Sequence, residues 1–202
     1  CGLIQKANHM TPLHDILASQ MSIIEAKGRK RKLEPSNIQG TTITIDGQSL
    51  INFSSNDYFG LSQHEAVKEA AIKATEQYGT SATASRLVCG NHPLYEPFEA
   101  ALAHAKGTES ALVFGSGYLA NIGVISAIMN RNDLILADRL SHACLLDGAR
   151  LCGATLHRFA HNDVNQLKRL LEIHRDSFEH CLIITESIFS MDGDAAPLAQ
   201  LR

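Results

Sequence analysis

The second half of the chain alternates short, mostly apolar segments with helical segments, and this alternation constrains the fold more than any other feature. Segments that are apolar on both faces are typical of strands in a parallel sheet that helices cover on each side. The sequence therefore predicts an α/β fold with a parallel or mixed sheet flanked by helices. The predicted strands are 111–114, 134–137, 155–159 and 181–186, and the helices between them are 118–129, 141–151 and 163–175.

Residues 1–50 are predicted to form an N-terminal arm of one helix and one β-hairpin. The helix covers 13–33 and ends in a basic cluster, whereas alternating β-branched residues around Asp46-Gly47 indicate the hairpin. Two further helices are predicted, over 64–78 and over a segment that ends at Gly107.

The turn Gly115-Ser116-Gly117 joins a predicted strand to a predicted helix. Glycines let a ligand approach the backbone, and the helix N-terminus offers free N–H groups, so this turn is a candidate phosphate site. The same residues also satisfy the dinucleotide pattern G-x-G-x-x-A, with Asp138 placed where a ribose-binding acid would lie. Two other interpretations of this turn therefore remain: the dinucleotide site of an NAD-dependent dehydrogenase, and a plain strand-to-helix turn without a ligand.

Composition narrows the partners that we expect. The net charge of -3 gives no electrostatic reason to bind nucleic acid, and no run of 18 apolar residues predicts a membrane span. The five cysteines and ten histidines form no metal-binding spacing, so we expect no metal. Unpaired cysteines are typical of reduced thiols, which favours a cytoplasmic location.

Six segments of the chain form one ordered set of motifs: NFSSNDYFGLS, TASRLVCGN, FGSGYLAN, ADRLSHACLLDGARL, RFAHND and TESIFSMDGDAAPL. In this order they resemble the α-oxoamine synthases, which are pyridoxal 5'-phosphate (PLP) enzymes of fold type I, the aminotransferase class I/II fold. The resemblance covers nearly all of 51–202 and implies that this range is the first part of the PLP-binding major domain. We expect residue 202 to be an artificial end, before the rest of that domain and a small C-terminal domain.

The resemblance implies cofactor-binding roles for four residues. Gly117 and Tyr118 match residues whose backbone meets the cofactor phosphate. His142 matches a histidine that stacks on the PLP ring beside the substrate. Ser190 matches a residue that hydrogen-bonds the cofactor, although a turn serine is the simpler interpretation of its local sequence. Glu186 ends the last predicted strand, where it could support the site or form an ion pair.

The resemblance also implies substrate-binding residues. Asn56 matches a residue near the substrate carboxylate, and Arg29 matches an arginine that meets substrate, with Arg31 as the alternative alignment. No catalytic residue is assigned within the chain, because the family's Schiff-base lysine lies beyond the position that matches residue 202. The chain is therefore expected to be inactive alone.

Within the family, the resemblance implies an acyltransferase that condenses L-alanine with a pimeloyl thioester, carried by a carrier protein or coenzyme A, with loss of CO₂. This is a step of biotin biosynthesis. A homodimer is expected, with the loop 79–91 at the contact. Sister enzymes such as 2-amino-3-ketobutyrate CoA ligase remain open.

Overall fold

The structure is a computed structural model that describes residues 12–33 and 35–201. The first eleven residues of the predicted arm lie outside this range. The chain divides into two compact units, one ending at Ser81 and the other beginning at Ala82. Among the described residues, no helix has the length and apolar character needed to cross a membrane.

The first unit confirms the predicted helix and hairpin and adds a strand. Asp46 and Gly47 both have positive φ, 50° and 77°, which suits the tight turn between the second and third strands. The predicted helix over 13–33 ends early because Gly28 adopts a left-handed conformation, with φ 62°, and caps the helix. The elements are α1 (Leu13–Ala26), an antiparallel sheet of β1 (Asn37–Gln39), β2 (Thr42–Ile45) and β3 (Gln48–Ile51), and α2 (Glu65–Tyr78).

The second unit is a parallel α/β layer structure. Its three strands pair in the order β5-β4-β6, with Leu134 opposite both Thr155 and Cys181. Helices connect the parallel strands, as this arrangement requires. The elements are α3 (Tyr95–Lys106), α4 (Gly117–Ile128), β4 (Leu134–Asp138), α5 (Ala143–Leu151), β5 (Thr155–Phe159), α6 (Val164–His174), β6 (Cys181–Ile184) and α7 (Leu198–Leu201).

The central strand β4 is buried on both faces. Ile135 and Ala137 point to one face, where they pack in a cluster with residues of α4 and α5. Leu134 and Leu136 point to the other face and pack with Leu167 of α6. Because side chains alternate along a strand, four consecutive apolar residues serve two separate cores. This confirms the predicted sheet with helices on both sides.

The predicted strand 111–114 is not a strand in the structure. The backbone of Val113 is bonded by side chains instead: its N–H donates to Glu99 Oε1 at 2.8 Å, and its carbonyl accepts from Arg86 Nη1 at 3.5 Å. Arg86 also binds the two carboxylate oxygens of Glu99, at 2.6 and 3.0 Å. Apolar residues form a strand only where a neighbouring strand bonds their backbone, and none of the described strands does so here.

The Arg86–Glu99 pair predicts a dependence of stability on acid. The hydrogen bond from Arg86 and that from the Val113 N–H lower the pKa of Glu99 from 4.5 to about 2. Ionised Glu99 therefore contributes stability above about pH 4.5, and this contribution is lost as the pH falls from there toward about 2. Urea unfolding of Glu99→Gln should show a smaller loss of stability across that pH range than the unsubstituted protein. Equal losses in the two proteins would contradict the assigned role of this carboxylate.

Candidate active site

A cleft of about 530 Å³ lies at the carboxyl ends of β4 and β6, beside the first turns of α4 and α5. This edge of a parallel sheet is where α/β proteins bind ligands. The residues that line the cleft include Gly117, Tyr118, Asn121, His142, Cys144 and the segment 185–188. The structure thus brings together three of the four predicted cofactor-binding residues.

The first turn of α4 forms one wall of the cleft. Ser116 caps this helix, and its Oγ accepts a hydrogen bond from the Leu119 N–H at 3.1 Å. The N–H groups of Gly117 and Tyr118, at the helix start, have no partner within the helix. A Cβ added to Gly117 would meet no atom within 4 Å, so the space above this backbone is open. The turn has the donors and the room to hold a phosphate group.

The Tyr118 side chain turns away from that backbone and binds α5. Its hydroxyl donates to Asp147 Oδ2 at 2.8 Å, and Arg150 donates to the other oxygen of Asp147 at 2.8 Å. The hydrogen bond to Asp147 raises the pKa of Tyr118, because the carboxylate stabilises the neutral phenol. The phenol therefore anchors the first turn of α4 and leaves its N–H groups to a ligand.

His142 caps the N-terminus of α5 and stands at the opposite wall. The ring Nδ1 of His142 accepts a hydrogen bond from the Cys144 N–H at 3.2 Å, and the backbone N–H of His142 donates to the carboxylate of Glu186. Glu186 follows the end of β6, so this bond joins two sheet-edge loops at the cleft. Of the two roles weighed for Glu186, supporting the site is the one that this contact favours.

Ser190 does not line the cleft. It is exposed in the turn between Ile188 and Ala195, which pair as an isolated β-bridge. The residues just after β6, including Ser187, line the cleft instead. A role for Ser190 at a cofactor stays a prediction.

Two of the three predicted substrate residues, Arg29 and Asn56, lie in the first unit, whereas the third, His142, lines the cleft. Arg29 and Arg31 follow the end of α1, and Asn56 lies between β3 and α2; all three side chains are exposed. Their roles toward substrate stay predictions.

Asn121 and Cys144 were missed by the sequence reasoning. Asn121 lies one helical turn after Gly117, and Cys144 lies two residues after His142. Asn121 shares the helix face of Gly117, four residues earlier, and this spacing is the signal that could have identified it. Cys144 is the second residue of α5, where the side chain of the capping residue His142 reaches its N–H, and helix-face spacing gives no signal for it.

The dehydrogenase alternative depended on Asp138, and the structure removes that support. Asp138 is fully buried. Its Oδ1 accepts from the Leu140 N–H at 2.8 Å and meets His161 Nδ1 at 3.0 Å, while its Oδ2 accepts from the Asn162 N–H at 2.9 Å. A buried carboxylate whose two oxygens are bonded internally cannot bind the hydroxyls of a ribose, so this interpretation of Asp138 is wrong.

The fold and the cleft together define an α/β protein with a candidate ligand site at the carboxyl edge of a parallel sheet. The family model described as aminotransferase class I and II matches residues 48–202. The chain therefore belongs to the aminotransferase class I and II family.

Within the family, the chain is similar in sequence to proteins named 8-amino-7-oxononanoate synthase. The chain is 49% identical to a putative 8-amino-7-oxononanoate synthase of Acidiphilium cryptum and 48% identical to the 8-amino-7-oxononanoate synthase of Beijerinckia indica. Each alignment covers 95% of this chain, with 51% and 50% of the relative. The chain thus spans about half the length of the curated relatives that it matches.

Solved structures confirm the fold type. A serine palmitoyltransferase of Sphingomonas wittichii aligns with a TM-score of 0.82 and 31% identity, over 96% of this chain and 49% of that one. The 8-amino-7-oxononanoate synthase of Francisella tularensis aligns with a TM-score of 0.59 and 30% identity, over 74% of this chain and 40% of that one. The fold is that of the type I PLP enzymes.

Proposed function

We propose that this protein is a PLP-dependent acyltransferase that condenses L-alanine with a pimeloyl thioester to give 8-amino-7-oxononanoate. The observation that carries the proposal is the cleft, which places an open helix N-terminus at Gly117 and Tyr118 opposite the ring of His142. The names of the relatives at 48–49% identity support the choice of substrates.

The residues of the cleft fit PLP. The N–H groups that begin α4 suit the phosphate, and the flat imidazole of His142 suits the face of a pyridine ring. When bound, PLP supplies an electron sink for the carbanion formed at the substrate Cα. Ser116 and Tyr118 hold the phosphate-binding turn by their own hydrogen bonds, so the site is organised before ligand binds.

The covalent attachment of the cofactor is proposed to come from outside these residues. No lysine lines the cleft in the part of the chain that the structure describes. We place the Schiff-base lysine beyond residue 202, in line with the family resemblance. Arg29 and Asn56 are proposed to meet the substrate, in a cytoplasmic homodimer.

A sister activity is the second candidate. The serine palmitoyltransferase of Sphingomonas wittichii has the higher TM-score of the two structures compared, 0.82 against 0.59. The sequence favours the biotin enzyme, because identity to its curated relatives is 49% whereas identity to that serine palmitoyltransferase is 31%. Turnover with L-alanine, L-serine or glycine as the amino acid, each paired with pimeloyl and palmitoyl thioesters, separates these candidates.

Gly117→Val tests the phosphate site. Its side chain would fill the open space above the α4 N-terminus and should lower the affinity of the full-length protein for PLP by at least about tenfold, since hydrogen bonds to charged groups contribute about 1.5–3 kcal/mol. The affinity is measured from the visible absorption band that a lysine-bound PLP gives and that borohydride abolishes. Val124→Leu, on the exposed part of the same helix, is the control and should bind PLP normally. A full-length protein without this band would refute the proposed function.

A further inference from the structure

The side chains of Asn121, Cys144 and His142 form a hydrogen-bond network at the cleft. Asn121 Nδ2 lies 3.1 Å from Cys144 Sγ, and the same sulfur lies 2.8 Å from Nδ1 of His142. The backbone N–H of Cys144 donates to that ring nitrogen as well, at 3.2 Å. Nδ1 therefore faces two groups of the protein.

The hydrogen bond from the Cys144 backbone N–H determines which groups of this network donate and which accept. A peptide N–H can only donate, so Nδ1 of His142 must offer its lone pair and cannot carry a proton. A neutral imidazole with an accepting Nδ1 carries its proton on Nε2. The Cys144 thiol can then donate to Nδ1 and accept from the Asn121 amide, so each donor in the network meets an acceptor.

Burial of Cys144 and the close packing of α4 against α5 hold this hydrogen-bond network in place. Cys144 is only 2% exposed, so its thiol has little access to water as a substitute partner. Helices α4 and α5 approach closely at Gly148, where an added Cβ would lie 3.2 Å from the Asn121 carbonyl oxygen. This close approach brings the Asn121 side chain to the start of α5.

The other ring nitrogen of His142 is left to the cleft. Nε2 has no hydrogen-bond partner among residues 12–33 and 35–201, whereas the ring lines the cleft. A proton held on Nε2 is therefore the one that His142 offers to an acceptor atom of a bound ligand.

We propose that Asn121 and Cys144 are positioning residues that hold His142 in the tautomer protonated at Nε2. The group that meets this N–H is a hydrogen-bond acceptor of the bound ligand at the edge of the imidazole ring, and only the identity of that ligand rests on the proposed function. The tautomer is set by the protein itself and is present before any ligand binds.

The tautomer is read directly by NMR of the full-length protein, labelled with ¹⁵N-histidine and free of cofactor. Correlations from the ring nitrogens to the ring C–H groups distinguish the tautomers, and His142→Gln identifies the signal. The unsubstituted protein should show His142 protonated at Nε2. In Cys144→Ala the ratio of the Nε2–H to the Nδ1–H tautomer should fall about fivefold, the effect of losing one ordinary hydrogen bond.

Two further variants keep the test decisive. Cys144→Ser retains a donor at this position and should retain the tautomer, even if the alanine variant does not fold. Cys152→Ala removes another thiol of the same region, whose Sγ donates to the Ala149 carbonyl, and should change nothing at His142. A His142 signal protonated at Nδ1, or an unchanged ratio in folded Cys144→Ala, would overturn the inference. Loss of PLP binding with the tautomer intact would instead count against the proposed function alone.

Discussion

Replacing His161 by alanine is expected to lower the free energy of unfolding by about 3 kcal/mol below about pH 6. His161 lies between two carboxylates: Nδ1 is 3.0 Å from Asp138 Oδ1, and Nε2 is 2.7 Å from Asp194 Oδ2. Its ring edge also meets Phe189, at 4.4 Å between centroids. The substitution leaves Asp138 fully buried without its counter-ion, which is the costly way to break an ion pair.

The two ring nitrogens can both donate only when His161 is protonated. The hydrogen bonds to Asp138 and then to Asp194 raise its pKa above the ordinary value of 6.5. A group whose pKa is raised by folding contributes its full stability below the unfolded value, and this contribution is lost as the pH rises through the folded value. The unsubstituted protein should therefore lose stability as the pH rises from about 6.5, and His161→Gln, which has no titrating ring, should not show this loss.

Urea unfolding at several pH values from about 6 to 9 measures both effects. His180→Gln is the matched control, because that ring is 63% exposed and surface substitutions change stability by less than about 0.5 kcal/mol. If His161→Ala is as stable as the control at the acid end, His161 does not hold Asp138 and Asp194 as an imidazolium.

Gly90→Ala is expected to destabilise the second unit by about 3 kcal/mol, the upper end of the usual cost of overpacking. Gly90 is buried at the end of a tight π-helical turn, Arg86–Gly90. A Cβ at this position would lie 1.8 Å from the carbonyl oxygen of Ala84 and 2.5 Å from its carbon. Both atoms belong to the backbone, so no side-chain rotation relieves the clash and the turn must open. Opening the turn would also draw Arg86 away from Glu99.

Urea unfolding of Gly90→Ala against Gly115→Ala tests this directly. The two substitutions are chemically identical, but the atom nearest to an added Cβ at Gly115 is Leu119 Cδ1, at 4.0 Å. Gly115→Ala should therefore unfold close to the unsubstituted protein. Similar unfolding midpoints for the two variants would mean that the turn at 86–90 relaxes without cost.

Local pattern was enough to predict most of the α/β layer. β5 occupies its predicted range, and α4, β4, α5 and α6 differ from theirs by one or two residues at one or both ends, because periodicity and capping act within one segment. The hairpin turn at Asp46-Gly47 was predicted for the same reason, since both of its residues tolerate positive φ. The glycine turn at the start of α4 was likewise predicted from two glycines and a helix start, although the strand predicted before it does not form.

The predictions that were wrong concern residues whose hydrogen-bond partners are distant in the sequence. Residues 111–114 have the composition of a strand, yet the backbone of Val113 is bonded by Glu99 and Arg86. Asp138 has the spacing of a ribose-binding acid, yet His161 and Asn162 occupy its oxygens. Neither outcome is visible in a window of neighbouring residues.

The sequence by itself therefore determined the layer architecture, the glycine turn and the family, because these follow from local propensity, periodic burial and ordered motifs. Only the tertiary structure decided that Glu186 binds the backbone of His142 across 44 residues and that Asn121 meets Cys144 across 23. Such contacts depend on how closely two helices and two strand ends pack, and packing is a property of the folded chain as a whole.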